Sequence, residues 1–123
     1  YEEARYFFDK SIGLTIEEQG EDWVDVKTFF YNGVVNFELG DIQEALSNLD
    51  KALQYSNKYT EACYYKGMVL ASLNQREKAC SYFKKSLNFF QEGYVYENSY
   101  YEIPNQLYLS DIERALRLYC DLL

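Results

Sequence analysis

Apolar residues recur at three- and four-residue steps along most of the chain: Phe30, Val34 and Phe37 in one stretch, then Ala45, Leu49, Ala52 and Leu53 in the next. This spacing predicts short amphipathic helices in succession. The pattern then returns. Residues 26–59 and 60–93 align without a gap at a 34-residue period, pairing Gly33 with Gly67, Leu39 with Leu73, Gly40 with Asn74, Ala45 with Ala79, Lys51 with Lys85 and Leu53 with Leu87. Where identity is lost, size is kept: Phe30 stands opposite Tyr64, Tyr31 opposite Tyr65, Val35 opposite Val69, Leu49 opposite Phe83 and Tyr55 opposite Phe89. Each copy reads as two helices joined at Leu39-Gly40-Asp41 or Leu73-Asn74-Gln75. Gly and Asn best tolerate the left-handed conformation that ends a helix, so two different residues share one backbone capability at the turn. Gly33 and Gly67 fall inside a helix, where Gly costs about 1 kcal/mol relative to Ala. Each is expected where a neighbouring helix comes too close for a side chain, with Ala45 and Ala79 as the matching small residues.

A repeat of this length, built from helix pairs with small residues at fixed offsets, resembles the tetratricopeptide repeat family, whose pattern is W-x2-L-G-x2-Y, then A-x3-F, then an alanine and a proline. The first copy gives Phe29-x2-Asn32-Gly33-x2-Asn36, then Ala45-x3-Leu49, Ala52 and Asn57. The second gives Cys63-x2-Lys66-Gly67-x2-Leu70, then Ala79-x3-Phe83, Ser86 and Gln91. The small residues match best, the large aromatic positions are partly replaced, and the closing proline is absent both times. The resemblance implies an all-α fold, a right-handed superhelical stack of antiparallel helix pairs, in one domain over residues 1–123.

The flanks depart from the repeat. Glu3-Ala4-Arg5-Tyr6-Phe7-Phe8-Asp9-Lys10-Ser11-Ile12 parallels Glu44-Ala45 through Leu53, so residues 1–25 read as the second helix of a partial repeat followed by an acidic junction. Ala4 and Ala45 are 41 positions apart, which puts seven extra residues around Glu17–Trp23. Either the loop there is long or the next helix starts early, and Asp22 with Asp25 would suit a helix start near Trp23. Opening mid-repeat without an initiator Met, the chain reads as a fragment or a processed product, its partner helix expected upstream. Residues 94–109, with five tyrosines and the single proline, Pro104, read mainly as loop. Residues 110–123 read as a closing helix that starts in a Ser110-x-x-Glu113 capping box and carries Leu109, Ile112, Leu116, Tyr119 and Leu123 on one face. Stacked repeats leave an apolar end that needs covering, so this helix is expected to be a cap. The sharper alternative is that it lies in the protein's own groove, or pairs with another chain.

Composition narrows the function classes. The chain of 123 residues is 48% hydrophobic and has no apolar run near membrane-spanning length. Its net charge of −8 is uneven: residues 1–25 hold eight acids and two bases, for −6; residues 26–93 hold seven and eight, for +1; residues 94–123 hold five and two, for −3. Without a basic stripe, neither nucleic acid nor an anionic membrane surface is an expected partner. There is no histidine, no Gly-rich phosphate loop and no metal-ligand cluster, so no catalysis, metal or cofactor is expected. The acidic junction lacks the alternating ligand spacing of a calcium loop and reads as a solvated linker. Cys63, Cys80 and Cys120 occupy helical positions without CxxC spacing and read as free core thiols. That favours a cytoplasmic location, with the periplasm or cell surface left open by the N-terminus.

What remains is binding. By the resemblance, the first helix of each repeat lines a concave face. On this sequence the partner-facing positions are Lys27, Phe30, Tyr31, Val34, Phe37 and Glu38 in the first copy, and Glu61, Tyr64, Tyr65, Met68, Ala71 and Ser72 in the second. Aromatics at helical spacing are more often core than contact. Phe37 is expected to pack against a neighbouring helix, and Phe30 fits either role. Tyr64, Tyr65 and Met68 look more like an interface, because Tyr and Met bury large areas and adapt at low cost. Some family members grip a partner's C-terminal carboxylate with Lys, Asn and Arg side chains in this groove. Only Lys27 could act so here, and Phe30, Val34 and Tyr65 stand where polar groups would be wanted. The expected partner is an apolar or aromatic peptide, or an amphipathic helix. The alternative is a structural spacer that self-associates through residues 94–123.

Overall fold

The computed structural model describes residues 1–94 and 107–121, and among these it is all-helical: six α-helices, one short 3-10 turn and no strand. The helices are α1 (Glu2–Glu18), α2 (Val26–Glu38), α3 (Ile42–Tyr55), α4 (Thr60–Ser72), α5 (Arg76–Gln91) and α6 (Leu109–Cys120), with the 3-10 turn at Glu21–Trp23. They group into two compact units, Tyr1–Ser56 and Asn57–Leu123. The tyrosine-rich 94–109 segment expected as loop lies mostly outside the described residues.

In the first unit α2 and α3 form a helical hairpin and α1 packs on α2. The turn after α2 works as its sequence predicts, with Gly40 at φ 81°. A Cβ placed on Gly33 would stand 2.8 Å from Leu49 Cγ and 3.4 Å from the Ala45 carbonyl oxygen, so the mid-helix glycine does mark the closest approach of the pair. The core comprises Phe8, Phe29, Phe30, Tyr31, Val34, Val35, Ala45, Leu49 and Ala52. Phe8 stacks on Tyr31 at 6.2 Å between centroids, which seats α1. A polar seam runs beside this core. Asn32 Nδ2 donates to Asp9 Oδ1 at 2.8 Å and to Asn48 Oδ1 at 3.3 Å, while Asn36 Nδ2 donates to the Asn32 carbonyl oxygen at 2.8 Å. Buried amides demand such partners, and here they tie three helices together.

At the junction before α2 the early helix start is not what forms. Helix α2 starts at Val26 rather than near Trp23, because Asp25 is its N-cap and accepts the Lys27 amide at 3.0 Å. Part of the additional length is taken up by α1, which runs to Glu18, and part by the 3-10 turn. Nor is the acidic junction a solvated linker throughout. Glu21 Oε1 accepts from Tyr55 Oη at 2.6 Å and Lys51 Nζ at 2.9 Å, and Asp22 Oδ1 accepts from Tyr55 Oη at 3.0 Å. These contacts strap the junction to α3 and hold the Glu21 carboxyl below its usual range, chiefly through the Tyr55 hydrogen bond and then through Lys51.

In the second unit α4 and α5 form the corresponding hairpin and α6 packs on α5. Asn74, at φ 60°, supplies the turn that Gly40 supplies in the first. A Cβ on Gly67 would stand 2.6 Å from Phe83 Cε1. The core gathers Tyr59, Ala62, Cys63, Val69, Leu70, Ala79 and Phe83 with Leu107, Ile112, Ala115 and Leu116. Helix α6 begins one residue before the expected capping box. Tyr108, with extended backbone, is the N-cap, and its amide donates to Asp111 Oδ2 at 2.9 Å, so Asp111 takes the part expected of Glu113, while the Tyr108 carbonyl oxygen accepts the Asp111 amide at 3.0 Å.

The thiols need the larger correction. Cys80 and Cys120 form a disulfide, with Cα atoms 5.5 Å apart, and only Cys63 is free among the described residues. The two partners lie on different helices 40 residues apart, a separation that no local spacing motif could reveal. With two of the three thiols paired, the cysteines no longer favour a reducing compartment. No described helix is long and apolar enough to cross a membrane.

Candidate functional site

The two copies of the expected strip have different surroundings. In the first unit Phe30, Tyr31 and Val34 are 1, 2 and 3% exposed, Lys27 and Phe37 are half-buried, and only Glu38 is exposed. In the second, Glu61 is buried, Tyr64, Tyr65, Met68 and Ala71 are half-buried, and Ser72 is exposed, its hydroxyl donating to the Val69 carbonyl at 2.6 Å. Half-buried aromatic and thioether side chains combine a fixed position with free surface, which is what a recognition site needs.

Tyr64 and Met68 form one wall of a groove of about 260 Å³. Its other wall comes from α6, through Asp111, Arg114, Ala115, Leu118 and Tyr119. Helical spacing explains the arrangement. Ile112, Ala115 and Leu116 turn inward and are at most 3% exposed, so Asp111, Arg114 and Leu118 stand along the edge of the same helix. Beneath the groove, Phe83 stacks on Tyr119 at 5.7 Å and meets Tyr64 at 5.9 Å. Tyr64 also meets Tyr65 edge-on at 5.4 Å. Burial pushes the Tyr64 phenol above its usual pKa, and the Asp111 carboxylate adds to the shift.

The C-terminal end of α6 is held by a covalent link and by Arg76 of α5. The disulfide joins Cys120 to α5, Arg76 Nε donates to the Tyr119 carbonyl oxygen, and Arg76 Nη2 donates to Asp121 Oδ1 at 3.2 Å. The closing helix therefore covers α5 and shapes the groove at once. The sequence left α6 in the groove only as the alternative to a cap, and it did not single out Asp111, Arg114 or Leu118 as groove residues. The signal that could have found them is the 111–114–118 edge beside the apolar stripe, legible only once the helix's neighbour is known.

The remaining thiol, Cys63, is 2% exposed, and burial raises its pKa to about 11 against the smaller pull of Lys85 and Lys66. A thiol so placed is a packing group, since the nucleophile is the thiolate. Among the described residues no group of three or more His, Cys, Asp or Glu side chains could hold a metal ion. The chain matches no protein-family model, and comparison with curated proteins and with solved structures gives no match.

Proposed function

We propose that the chain is a tetratricopeptide-like interaction module that holds a protein segment on the Tyr64–Met68 groove, with no catalytic role. The observation that carries this reading is the groove itself: half-buried Tyr64, Met68 and Tyr119 beside an exposed Leu118, with Asp111 and Arg114 among its lining residues. A volume near 260 Å³ suits one or two large side chains rather than a whole helix. The partner is therefore a short segment that inserts an apolar or aromatic anchor, its polar atoms met by Asp111 and Arg114. The 34-residue register, the Gly33–Leu49 and Gly67–Phe83 approaches and the two left-handed turns support reading the helix pairs as units of a right-handed stack. A carboxylate clamp is not part of the proposal, since the groove's one lining cation, Arg114, stands with Asp111.

Selection from a random peptide display library tests the reading. Peptides with a large apolar anchor should be enriched, and the double variant Tyr64→Ala, Met68→Ala should weaken them at least tenfold while helicity and melting are kept. Enrichment of peptides that need a free C-terminal carboxylate, or binding indifferent to the double variant, would sink it.

A structural spacer that self-associates through residues 94–123 is the second reading, favoured by exposed Tyr108 and Leu118, at 60% and 56%. Light scattering over a concentration series separates the two, because a monomer at every concentration counts against self-association.

A further inference from the structure

Three helices of this chain carry the same four-position arc: Ala4, Phe7, Phe8 and Ser11 on α1; Ala45, Asn48, Leu49 and Ala52 on α3; Ala79, Tyr82, Phe83 and Ser86 on α5. These positions lie on one side of a helix and form a single packing face. On α3 the arc is shut, with all four residues at most 7% exposed and α2 packed as the hairpin partner. On α5 Ala79, Phe83 and Ser86 are fully buried, and α4 is the partner. In both pairs the covering helix presents a glycine to the large residue of the arc, Gly33 to Leu49 and Gly67 to Phe83.

On α1 the arc stands open. Only Phe8 is used, buried against Tyr31 of α2. Phe7, at the position of the shut Asn48, is 59% exposed, Leu14 two turns on is 47% exposed, and Ala4 and Ser11 are half-buried. Between them runs an open groove of about 560 Å³ lined by Tyr6, Phe7, Lys10, Ser11, Leu14 and Thr15. The two worked examples within the chain state what covers such a face: a helix with a small residue at its closest approach. Charge specifies the rest. Glu3 at one end of the arc and Glu17 and Glu18 at the other are exposed acids, with Lys10 as the single base beside the groove. Face-to-face pairing with α1 of a second copy would bring these acids together, whereas a helix with basic ends would neutralise them.

We propose that this face of α1 is a helix-docking site whose occupant is an α-helix with Gly or Ala at its centre, apolar residues on the adjoining turns and basic residues at both ends. The site belongs to the first unit and does not depend on the Tyr64–Met68 groove.

The probe is a fluorescent peptide of residues 26–38 with Glu38→Lys and two lysines added at each end, titrated by anisotropy against the full chain. Saturable binding is expected, at least tenfold weaker to Phe7→Asp, whose exposed site leaves folding intact by circular dichroism. Replacing the peptide's central glycine (Gly33→Leu) or exchanging its terminal lysines for glutamates should weaken binding at least fivefold. The double variant Tyr64→Ala, Met68→Ala should bind the probe as well as the unaltered chain does. Absence of binding at millimolar peptide, affinity unchanged by Phe7→Asp or Gly33→Leu, or sedimentation of the chain alone as a dimer that Phe7→Asp dissociates would overturn the proposal.

Discussion

The two helical hairpins share a turn, a glycine and a register, yet they bury different things. Beneath α2 the first unit places a polar seam, Asp9–Asn32–Asn48, beside an aliphatic contact in which Leu49 meets Gly33. The second unit has an aromatic stack at the corresponding place, where Phe83 touches Tyr64, Tyr119 and the Gly67 backbone. The third helix explains the contrast. Helix α1 reaches α2 with Asp9, Arg5 and Phe8 and satisfies buried asparagines, whereas α6 brings Tyr119, Leu118 and Arg114 and extends an aromatic cluster that stays half open. One repeat can thus make a closed core or a half-open groove, according to the helix laid against it.

Truncating the large residue at the equivalent position should break the symmetry most. Phe83→Ala is expected to cost about 3–5 kcal/mol, since it removes a fully buried ring and leaves a cavity. It should also strip α6 of hydrogen-exchange protection, because Tyr119 loses the ring it stacks on. Leu49→Ala should cost about 2–5 kcal/mol and leave α1 protected, because α1 is seated by Phe8 and the asparagine seam. Urea unfolding with amide exchange reads both. Equal loss with α6 protection intact would show that the aromatic stack does not hold the helix.

Next in size is the disulfide, which exists only in the second unit. Its reduction by dithiothreitol opens a link across 40 residues and should lower stability by about 2–4 kcal/mol, with the loss confined to α5 and α6. A thiol reagent at pH 8 should find no fast-reacting group in the oxidised native chain, because Cys63 is buried with its pKa raised to about 11, and two after reduction. A fast-reacting thiol before reduction would show that Cys80 and Cys120 are not paired.

The sequence carried the helix pairs because their signals are local: three- and four-step apolar spacing, Gly40 and Asn74 at the left-handed turns, Gly33 and Gly67 at close approach. Tyr64 and Met68 could be singled out for the same reason, since they share one face of one helix. The other wall of the groove could not, because Asp111 and Arg114 become neighbours of Tyr64 only through the packing of α6 on α5. Asn32 and Asn36 stood as replacements at large positions of the repeat pattern and Asn48 drew no reading, and the meaning of all three depends on Asp9 and Arg5 arriving from a distant stretch of chain. The disulfide was illegible on the same grounds. Non-local partners leave no trace in spacing.

The smallest expected effect concerns the two equivalent lysines. Lys51 of α3 meets the Glu21 carboxylate at 2.9 Å, whereas Lys85 of α5 lies over the Tyr82 ring at 4.7 Å. Only the first contact titrates in acid. The Glu21 pKa is lowered below its ordinary 4.5, so its contribution is fully present above that value and is lost as pH falls through the folded-state pKa. Glu21→Gln should therefore be slightly less stable than the unaltered chain at pH 7, and the difference should shrink steadily as the pH falls below 4.5 and through that lowered pKa. Both partners are about one-third exposed, so solvent and salt screen the pair, and the difference should shrink further in concentrated salt. Lys85→Met, by contrast, should show a stability change that does not vary between pH 7 and pH 3, because a cation over a neutral ring has no carboxylate to protonate. A Glu21→Gln difference that does not shrink at all as the pH is lowered through the acid unfolding range would mean that the strap acts through the shape of the junction and the Tyr55 hydrogen bond, and not through charge.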